Sequence, residues 1–258
     1  MTTAVLLATA VAAHAQFADC STGLLQMPTA EMQEDGTFFI TNNFLNKHSL
    51  PTSGWSYNTF QYGIGVSFWG RVELSYICTI FNDYWQGSQT REGVWMINKD
   101  RHFSGRICLL REGDFNLEWM PALIVGISDP VTGADGGEYM TGNVSGTRNG
   151  FFNRNFIVLT KHFLTPWGMV GAHAGYQINR RIDYPINAPC IGVNWQPKWL
   201  QHRGILDKLD VIAEYDSRTI NIGAIASIWD NRFEAMFELQ NFQWVNFGLR
   251  YKLRIKKN

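Results

Sequence analysis

The sequence is poor in charge and has no long apolar run beyond its first sixteen residues. Charged side chains make up 17% of its 258 residues, whereas an ordinary soluble domain has roughly 25%. Lys plus Arg and Asp plus Glu each number 22, so the formal charge is zero and the basic footprint of a nucleic-acid-binding protein is missing. A membrane-spanning helix needs about 20 continuous apolar residues, and their absence excludes a helical membrane bundle.

The usual signatures of metal sites and hydrolases are also missing. There is no Cys-x-x-Cys pair, no His pair with zinc spacing and no Gly-x-Ser-x-Gly elbow. The sequence therefore predicts no metal, no cofactor and no catalytic residue. Cys20, Cys78, Cys108 and Cys190 allow three complete disulfide pairings, and the sequence does not choose among them.

The N-terminus has the features of an export signal. An apolar run covers 4–13, and Ala13 and Ala15 supply small residues at the −3 and −1 positions of a cleavage site. We therefore predict a signal peptide over 1–15. The basic side chain that normally precedes the apolar run is missing, so either the true start lies upstream or the segment is a buried N-terminal strand.

What the sequence has in abundance is a two-residue alternation of apolar and polar side chains. Aromatic residues reach 14% and glycines number 24. Over 60–68 and 72–80, apolar residues alternate with mostly polar ones on both sides of a tight turn at 69–71. Because successive side chains of a strand point to opposite faces, this is a hairpin with one apolar face. Each arm has about the 9–11 residues that cross a bilayer obliquely.

The alternation recurs along the whole chain and predicts an all-β fold, a closed antiparallel transmembrane β-barrel of about twelve strands, with ten to fourteen possible. The barrel domain would cover 37–258, with a short helix near 198–206. Short and long connections alternate over the first eight strands, as in bacterial outer-membrane barrels. The predicted strands are 37–46, 55–68, 71–82, 102–110, 117–128, 153–163, 167–178, 188–195, 207–216, 218–229, 232–240 and 244–255.

Five tryptophans fall at the predicted periplasmic ends of strands. Aromatic belts mark membrane interfaces because the amphipathic ring prefers the headgroup level. We therefore predict contact with outer-membrane lipid through Trp69, Trp119, Trp167, Trp195 and Trp229.

The polar face of the alternation predicts a charged barrel interior. One interpretation is a structural charge ladder that fills a narrow lumen, with Glu234 opposite Arg250; the other is a polar lining that guides a hydrophilic solute. A base at His173 and a carboxylate pair for glycoside cleavage are further alternatives, and we expect neither. Asp216 and Arg254 share the inward parity of the predicted lumen-lining residues, which are Glu73, His173, Asp210, Glu214, Glu234, Glu238, Arg250 and Lys252.

The residues between the signal and the first strand form a separate unit, 16–36. Pro28 fixes φ and lacks an N–H, which suits a bend, and Asp35-Gly36 is a turn signal directly before the first strand. The unit would either lie at or plug the periplasmic mouth of the barrel, or serve as a leader that covers an edge strand.

Three stretches resemble the YjbH family of outer-membrane proteins, which is associated with exopolysaccharide production and export. The first has Gly23-Leu24, Pro28-Thr29-Ala30 and Asp35-Gly36. The second runs from Arg106 to Asp129 and includes Leu110-Arg111-Glu112-Gly113-Asp114 and Pro121-Ala122-Leu123. The third is Ala213-Glu214-Tyr215-Asp216.

The resemblance implies a bacterial outer-membrane location and a role with polysaccharide. We expect a non-enzymatic barrel that supports exopolysaccharide production or export. A structural or accessory subunit of a larger envelope complex is the first alternative, and a lipid- or glycan-modifying barrel enzyme is the second. The implied partners are membrane lipid and either polysaccharide or other envelope proteins, but no nucleic acid.

Overall fold

The structure is a computed structural model that describes residues 16–17, 19–50, 57–81, 98–130, 150–181 and 184–255. Within these ranges, twelve strands form one antiparallel sheet that closes into a barrel, which confirms the predicted fold class. The predicted signal peptide, 1–15, lies outside the described residues. The strands are β1 (Thr37–Leu45), β2 (Thr59–Phe68), β3 (Val72–Phe81), β4 (Asn98–Leu110), β5 (Ala122–Ser128), β6 (Arg154–Thr165), β7 (Gly168–Ile178), β8 (Asn187–Pro197), β9 (Leu206–Tyr215), β10 (Ile220–Ile228), β11 (Phe233–Gln240) and β12 (Trp244–Arg254).

The first and last strands pair and close the barrel. Phe38 of β1 stands opposite Leu253 of β12 on one side and opposite Val66 of β2 on the other. Every other strand pairs with its two neighbours along the chain. The backbone groups of the twelve described strands therefore find partners around the whole ring, and none of these strands is a free edge.

The alternation of the sequence becomes an apolar outside and a polar inside. On β12, Phe247 and Leu249 point outward and remain 48% and 47% exposed, while Asn246 and Arg250 point inward and are fully buried. The same order holds on β4, where Phe103 is 60% exposed and Arg106 is 1% exposed. A soluble protein places large apolar side chains inside, so this barrel has the reverse arrangement.

The strand order defines two ends of the barrel. We call one end the tryptophan rim, at connections 69–71, 111–121, 166–167, 198–205 and 229–232. We call the other end the loop rim; of the described residues, 46–50, 57–58, 129–130, 150–153, 179–181, 184–186, 216–219 and 241–243 lie there. Trp69, Trp119, Trp167 and Trp229 all lie at the tryptophan rim with 59–70% of their surface exposed. Trp195 is half-buried at the same rim.

The connection after β8 differs from the sequence prediction. Instead of a short helix over 198–206, a single turn of 3-10 helix covers Lys198–Leu200, and the chain then folds back so that Arg203 bridges to Leu206. Gly204 has a φ of +64°, a left-handed conformation that suits glycine and ends regular helix. No helix among the described residues is long and apolar enough to cross a membrane.

Two glycines on the inner wall make room for phenylalanine rings of neighbouring strands. Gly65 stands opposite Phe39, and Gly126 stands opposite Phe156. A Cβ atom at either glycine would collide with the ring of its partner. The rings lie across the glycine backbone, so these positions require glycine for close approach rather than for a special backbone angle.

Candidate functional site: the filled lumen and the cavity at the loop rim

The barrel lumen is occupied by the chain's own N-terminal segment. We call residues 16–17 and 19–36 the lumenal segment. It joins the start of β1 at the tryptophan rim, where Asp35 accepts a hydrogen bond from the backbone N–H of Trp69. It reaches the loop rim, where Asp19 accepts a hydrogen bond from Ser128 Oγ at 2.6 Å. Most of its side chains are buried, and a bridge between Gly23 and Pro28 folds its centre into a tight loop.

Glu214 holds the bend of the lumenal segment through backbone N–H groups. Its carboxylate accepts hydrogen bonds from the N–H groups of Leu25 at 3.0 Å, Gln26 at 2.7 Å and Met27 at 3.2 Å. Asn221 of the neighbouring strand donates a further bond at 3.0 Å. Three successive amides directed at one carboxylate form an anion-binding nest, built here inside a β-barrel.

Glu238 extends this contact to a side chain of the lumenal segment. Its Oε2 accepts hydrogen bonds from Gln26 Nε2 at 2.8 Å and from Asn246 Nδ2 at 2.6 Å. Glu214 and Glu238, both predicted to face the lumen, are thus brought together around Gln26.

Glu73 and Arg106 hold the segment from the opposite wall. Glu73 accepts hydrogen bonds from the backbone N–H and the hydroxyl of Thr22, both at 2.7 Å. Arg106 donates to the carbonyl oxygens of Thr22, Thr29 and Glu31, the last at 2.7 Å. Arg106 was not among the predicted lumen residues, although the alternation of β4 places it inward between outward-facing neighbours. A buried guanidinium with several N–H donors is well suited to collect carbonyl groups in this way.

The predicted charge ladder of β11 and β12 is present. Glu234 stands opposite Arg250, as the sequence predicts, and Lys252 Nζ lies 2.7 Å from Glu234 Oε1. Arg250 also donates to the carbonyl oxygens of Cys20 at 2.6 Å and Ser21 at 2.7 Å. The charged residues of the ladder therefore pair with one another and also hold the lumenal segment.

Two residues predicted to face inward lie at the barrel ends instead of in the lumen. Arg254, the last residue of β12, is exposed at the tryptophan rim, where it pairs with Glu34. Asp216 is half-buried in the β9–β10 connection at the loop rim. The alternation predicts which face of the sheet each side chain lies on, but it does not predict the residue at which each strand ends.

His173 belongs to a chain of hydrogen bonds. Its Nδ1 lies 2.9 Å from Thr160 Oγ1, its Nε2 lies 3.0 Å from Asn194 Oδ1, and Thr160 Oγ1 accepts from the backbone N–H of Ala30 at 2.8 Å. Asn194 continues to Asp210, donating to Oδ1 at 2.6 Å. With the Asn194 oxygen as acceptor, Nε2 of His173 carries a proton, and both ring nitrogens are engaged in this chain of hydrogen bonds.

A histidine that sequence reasoning missed connects the tryptophan rim to the lumenal segment. His162 faces Glu112 Oε2 at 2.6 Å through Nδ1 and Glu31 Oε1 at 2.9 Å through Nε2. Lys161 Nζ lies 3.0 Å from the other Glu112 oxygen. Burial raises the pKa of the Glu112 carboxyl, but hydrogen bonds from His162 and Lys161 outweigh it, and this pKa lies below its usual range.

At the loop rim, Asp19 and Gln26 of the lumenal segment line a cavity of about 70 Å³. Arg154 of β6, which donates to Gln26 O at 3.0 Å and pairs with Asp19, forms part of its floor. Tyr184 and Arg218 form one side, with the guanidinium carbon 3.3 Å from the centre of the ring. Burial raises the pKa of Tyr184 and lowers that of Arg218 to about 10.

The described residues do not bring together three or more His, Cys, Asp or Glu side chains in a metal-binding arrangement. Cys20, Cys78, Cys108 and Cys190 are buried, and each is a free thiol. What the interior offers is a set of buried charges directed at a polypeptide backbone. The cavity at the loop rim presents polar and aromatic groups at its opening.

Comparison with known families gives one match. The model of the YjbH family, described as "Exopolysaccharide biosynthesis protein YbjH", matches residues 20–180, which is more than half of the chain. The match covers most of the lumenal segment and β1 to β7. A search of curated proteins found no match.

Proposed function

The chain belongs to the YjbH family, and on that premise we propose that it is a bacterial outer-membrane β-barrel that supports exopolysaccharide production or export without catalysing a reaction. The family supplies the link to exopolysaccharide. The barrel with its apolar outer wall supplies the argument for the membrane.

The outer wall supports a lipid environment. Large apolar side chains remain exposed all around the barrel, including Ile64 at 45%, Leu74 at 49% and Ile191 at 59%. Monomeric soluble proteins rarely expose contiguous apolar surface on this scale. The exposed tryptophans at one rim, Trp69, Trp119, Trp167, Trp199 and Trp229, fit the headgroup level of a bilayer. Lipid around this wall would remove the apolar surface from water.

The observation that best supports a non-enzymatic role is that the candidate catalytic side chains of the interior are already hydrogen-bonded within the protein. The candidate base, His173, is hydrogen-bonded to Thr160 and Asn194. The candidate acids Glu214 and Glu238 accept hydrogen bonds from the lumenal segment and from asparagines of the wall. These contacts support a positioning and stabilising role for the charges.

Two measurements test the proposal. The first is separation of inner and outer membranes on a density gradient, where the protein should be found in the outer-membrane fraction. The second is deletion of the gene followed by measurement of surface polysaccharide, which should fall and return on complementation. Unchanged polysaccharide under every growth condition, or a protein that stays in solution without detergent, would sink the proposal.

The filled lumen favours a second candidate, an accessory subunit of a larger envelope complex. In the described conformation the lumenal segment takes the space that a polymer would need, and an accessory role requires no movement of it. Purification in mild detergent should then recover other envelope proteins with the barrel. Recovery of the barrel as a lone monomer, with polysaccharide still dependent on the gene, would count against this candidate.

A further inference from the structure

The cavity at the loop rim has part of the lumenal segment as its floor, through Asp19 and Gln26. Its volume is about 70 Å³, which is room for about five water molecules at the ~10–15 Å³ that each requires. At roughly 30 Å³ of liquid per water molecule, those waters occupy about the space of one sugar ring. The cavity is open to one side and combines aromatic and polar groups. Its lining includes Phe151, Phe152, Arg154, Tyr184, Asp216 and Arg218.

Tyr184 and Arg218 form a flat surface whose geometry is fixed before any ligand binds. The guanidinium lies over the ring, with its carbon 3.3 Å from the ring centre. Its Nη2 donates to the carbonyl oxygen of Tyr184 at 2.6 Å. Asn179 Nδ2 donates to the same carbonyl at 2.9 Å, and Asn179 Oδ1 accepts from Ile186 N at 2.8 Å. The two side chains therefore hold their relative position without a ligand, which lowers the entropy cost of binding.

The opposite side of the surface is set by a tight turn. Asp216 Oδ1 accepts hydrogen bonds from the backbone N–H groups of Arg218 at 3.0 Å and Thr219 at 2.7 Å. The turn places a carboxylate and a guanidinium at the same opening, both half-buried. Planar groups of this kind make paired hydrogen bonds, the guanidinium as donor and the carboxylate as acceptor.

The charges of the lining balance. Arg154 pairs with Asp19 on the floor, and Arg218 stands beside Asp216 at the opening. A site for an anionic group would need a surplus of positive charge, as a cluster of unpaired arginines provides. This lining instead suits a ligand that is uncharged, rich in hydroxyl groups and able to lay an apolar face on a flat surface.

We infer that the cavity at the loop rim binds one uncharged sugar unit of a polysaccharide. The sugar's C–H face lies against the Tyr184–Arg218 surface, and adjacent hydroxyls bond with Asp216 and with the remaining N–H groups of Arg218. This inference rests on the proposed function, since it gives the barrel a direct contact with the polymer. Because the lumenal segment forms the floor through Asp19 and Gln26, the sugar contacts that segment but does not enter the lumen.

The test is titration calorimetry on the purified full-length protein in detergent. The ligands are maltohexaose, cellohexaose and fragments released by mild acid from the host's own surface polysaccharide, divided into neutral and acidic pools. We expect at least one neutral ligand to bind. Arg218→Gln should weaken that binding at least tenfold, and so should Tyr184→Leu. Arg71→Gln at the tryptophan rim is the matched control and should bind as the wild type does.

Three results would overturn the inference: no binding of any neutral ligand, tighter binding of the acidic pool than of every neutral ligand, or unchanged binding by Arg218→Gln. If Arg218→Gln fails to fold, Arg218→Lys keeps the charge but loses the flat surface, and it should show the same loss. Gene deletion separates this inference from the proposed function. Loss of surface polysaccharide without sugar binding removes only the site, whereas sugar binding without any effect of deletion removes only the function.

Discussion

Glu234 faces Arg250 across strands β11 and β12, and its carboxylate accepts a hydrogen bond from Lys252, one inward position farther along β12, at 2.7 Å. Arg250 meanwhile donates to the carbonyl oxygens of Cys20 and Ser21. One cluster of wall charges thus stabilises the sheet and holds the segment inside it.

The first prediction concerns the buried guanidinium of this cluster. Arg250 is fully buried, so Arg250→Gln would leave the carbonyl groups of Cys20 and Ser21 without this donor and would remove the positive charge opposite Glu234. Removing one partner of a buried charge pair costs about 3–5 kcal/mol, and we expect a loss of that order in the free energy of unfolding. Urea unfolding in lipid vesicles, followed by tryptophan fluorescence, measures it.

The control for this change is Arg254→Gln. Arg254 lies four residues farther along the same strand than Arg250 and pairs with Glu34, but its side chain is 62% exposed. Exposed ion pairs contribute about 0–1 kcal/mol, so this variant should unfold near the wild-type midpoint. Equal losses for the two variants would show that the contacts of Arg250 with the lumenal segment add nothing to stability.

The wall of the barrel could be predicted from sequence because strand geometry is periodic. Each side chain's face follows from its position in the alternation, and the register of β11 and β12 follows from the tight turn between them. The prediction that Glu234 stands opposite Arg250 is confirmed for this reason. The tryptophan rim follows from the same logic, since every second connection lies at one end.

The path of the lumenal segment could not be predicted because its main contacts involve backbone groups. Glu214 binds three N–H groups and Arg106 binds three carbonyl groups, and every residue other than proline carries both groups. Such bonds leave no pattern of side-chain types in the segment. The cavity at the loop rim was missed for a related reason, because Tyr184 and Arg218 come from different connections.

The second prediction concerns the glycines under the phenylalanine rings. Gly65→Ala would push a Cβ atom into the ring of Phe39, and the guanidinium carbon of Arg250 already lies 4.4 Å from the centre of that ring. Overpacking of this kind costs about 1–3 kcal/mol, and the unfolding midpoint should fall accordingly. Gly105→Ala is the control, because there a Cβ atom would lie 3.3 Å from one flexible leucine carbon. Identical midpoints for the two variants would refute the close packing at Gly65.

The third prediction is a pH dependence at the tryptophan rim. Hydrogen bonds from His162 and Lys161 outweigh burial and hold the pKa of Glu112 below its usual value of 4.5. A carboxyl with a lowered pKa contributes stability that is complete above its unfolded pKa and is lost as the pH falls through its folded pKa. The contribution should therefore be present at pH 6 and be lost only as the pH falls below the usual value of 4.5 and through the lowered pKa of Glu112.

Comparison with Glu112→Gln isolates this contribution from the titration of other carboxyl groups. At pH 6 the variant should be less stable than the wild type, and the difference should shrink as the pH falls through the lowered pKa of the wild-type carboxyl. Thermal unfolding of both proteins across this range gives the difference directly. A gap that stays constant or widens on acidification would contradict the pairing of Glu112 with His162.

The last prediction asks whether the lumenal segment closes the barrel. With the lumenal segment in place, the wild-type protein should show no steady conductance in a planar bilayer. Glu214→Gln removes the negative charge that three amides share and puts an N–H group among them, so the segment should leave its position more often and brief current steps should appear.

Lys252→Gln is the matched control, since it neutralises a buried wall charge whose bond goes to Glu234. Steady current through the wild type would mean that the segment does not close the lumen, and equal current in both variants would mean that Glu214 does not hold it. If steps appear only in Glu214→Gln, a polymer could pass only after the lumenal segment has moved, and an accessory role would remain possible without that movement.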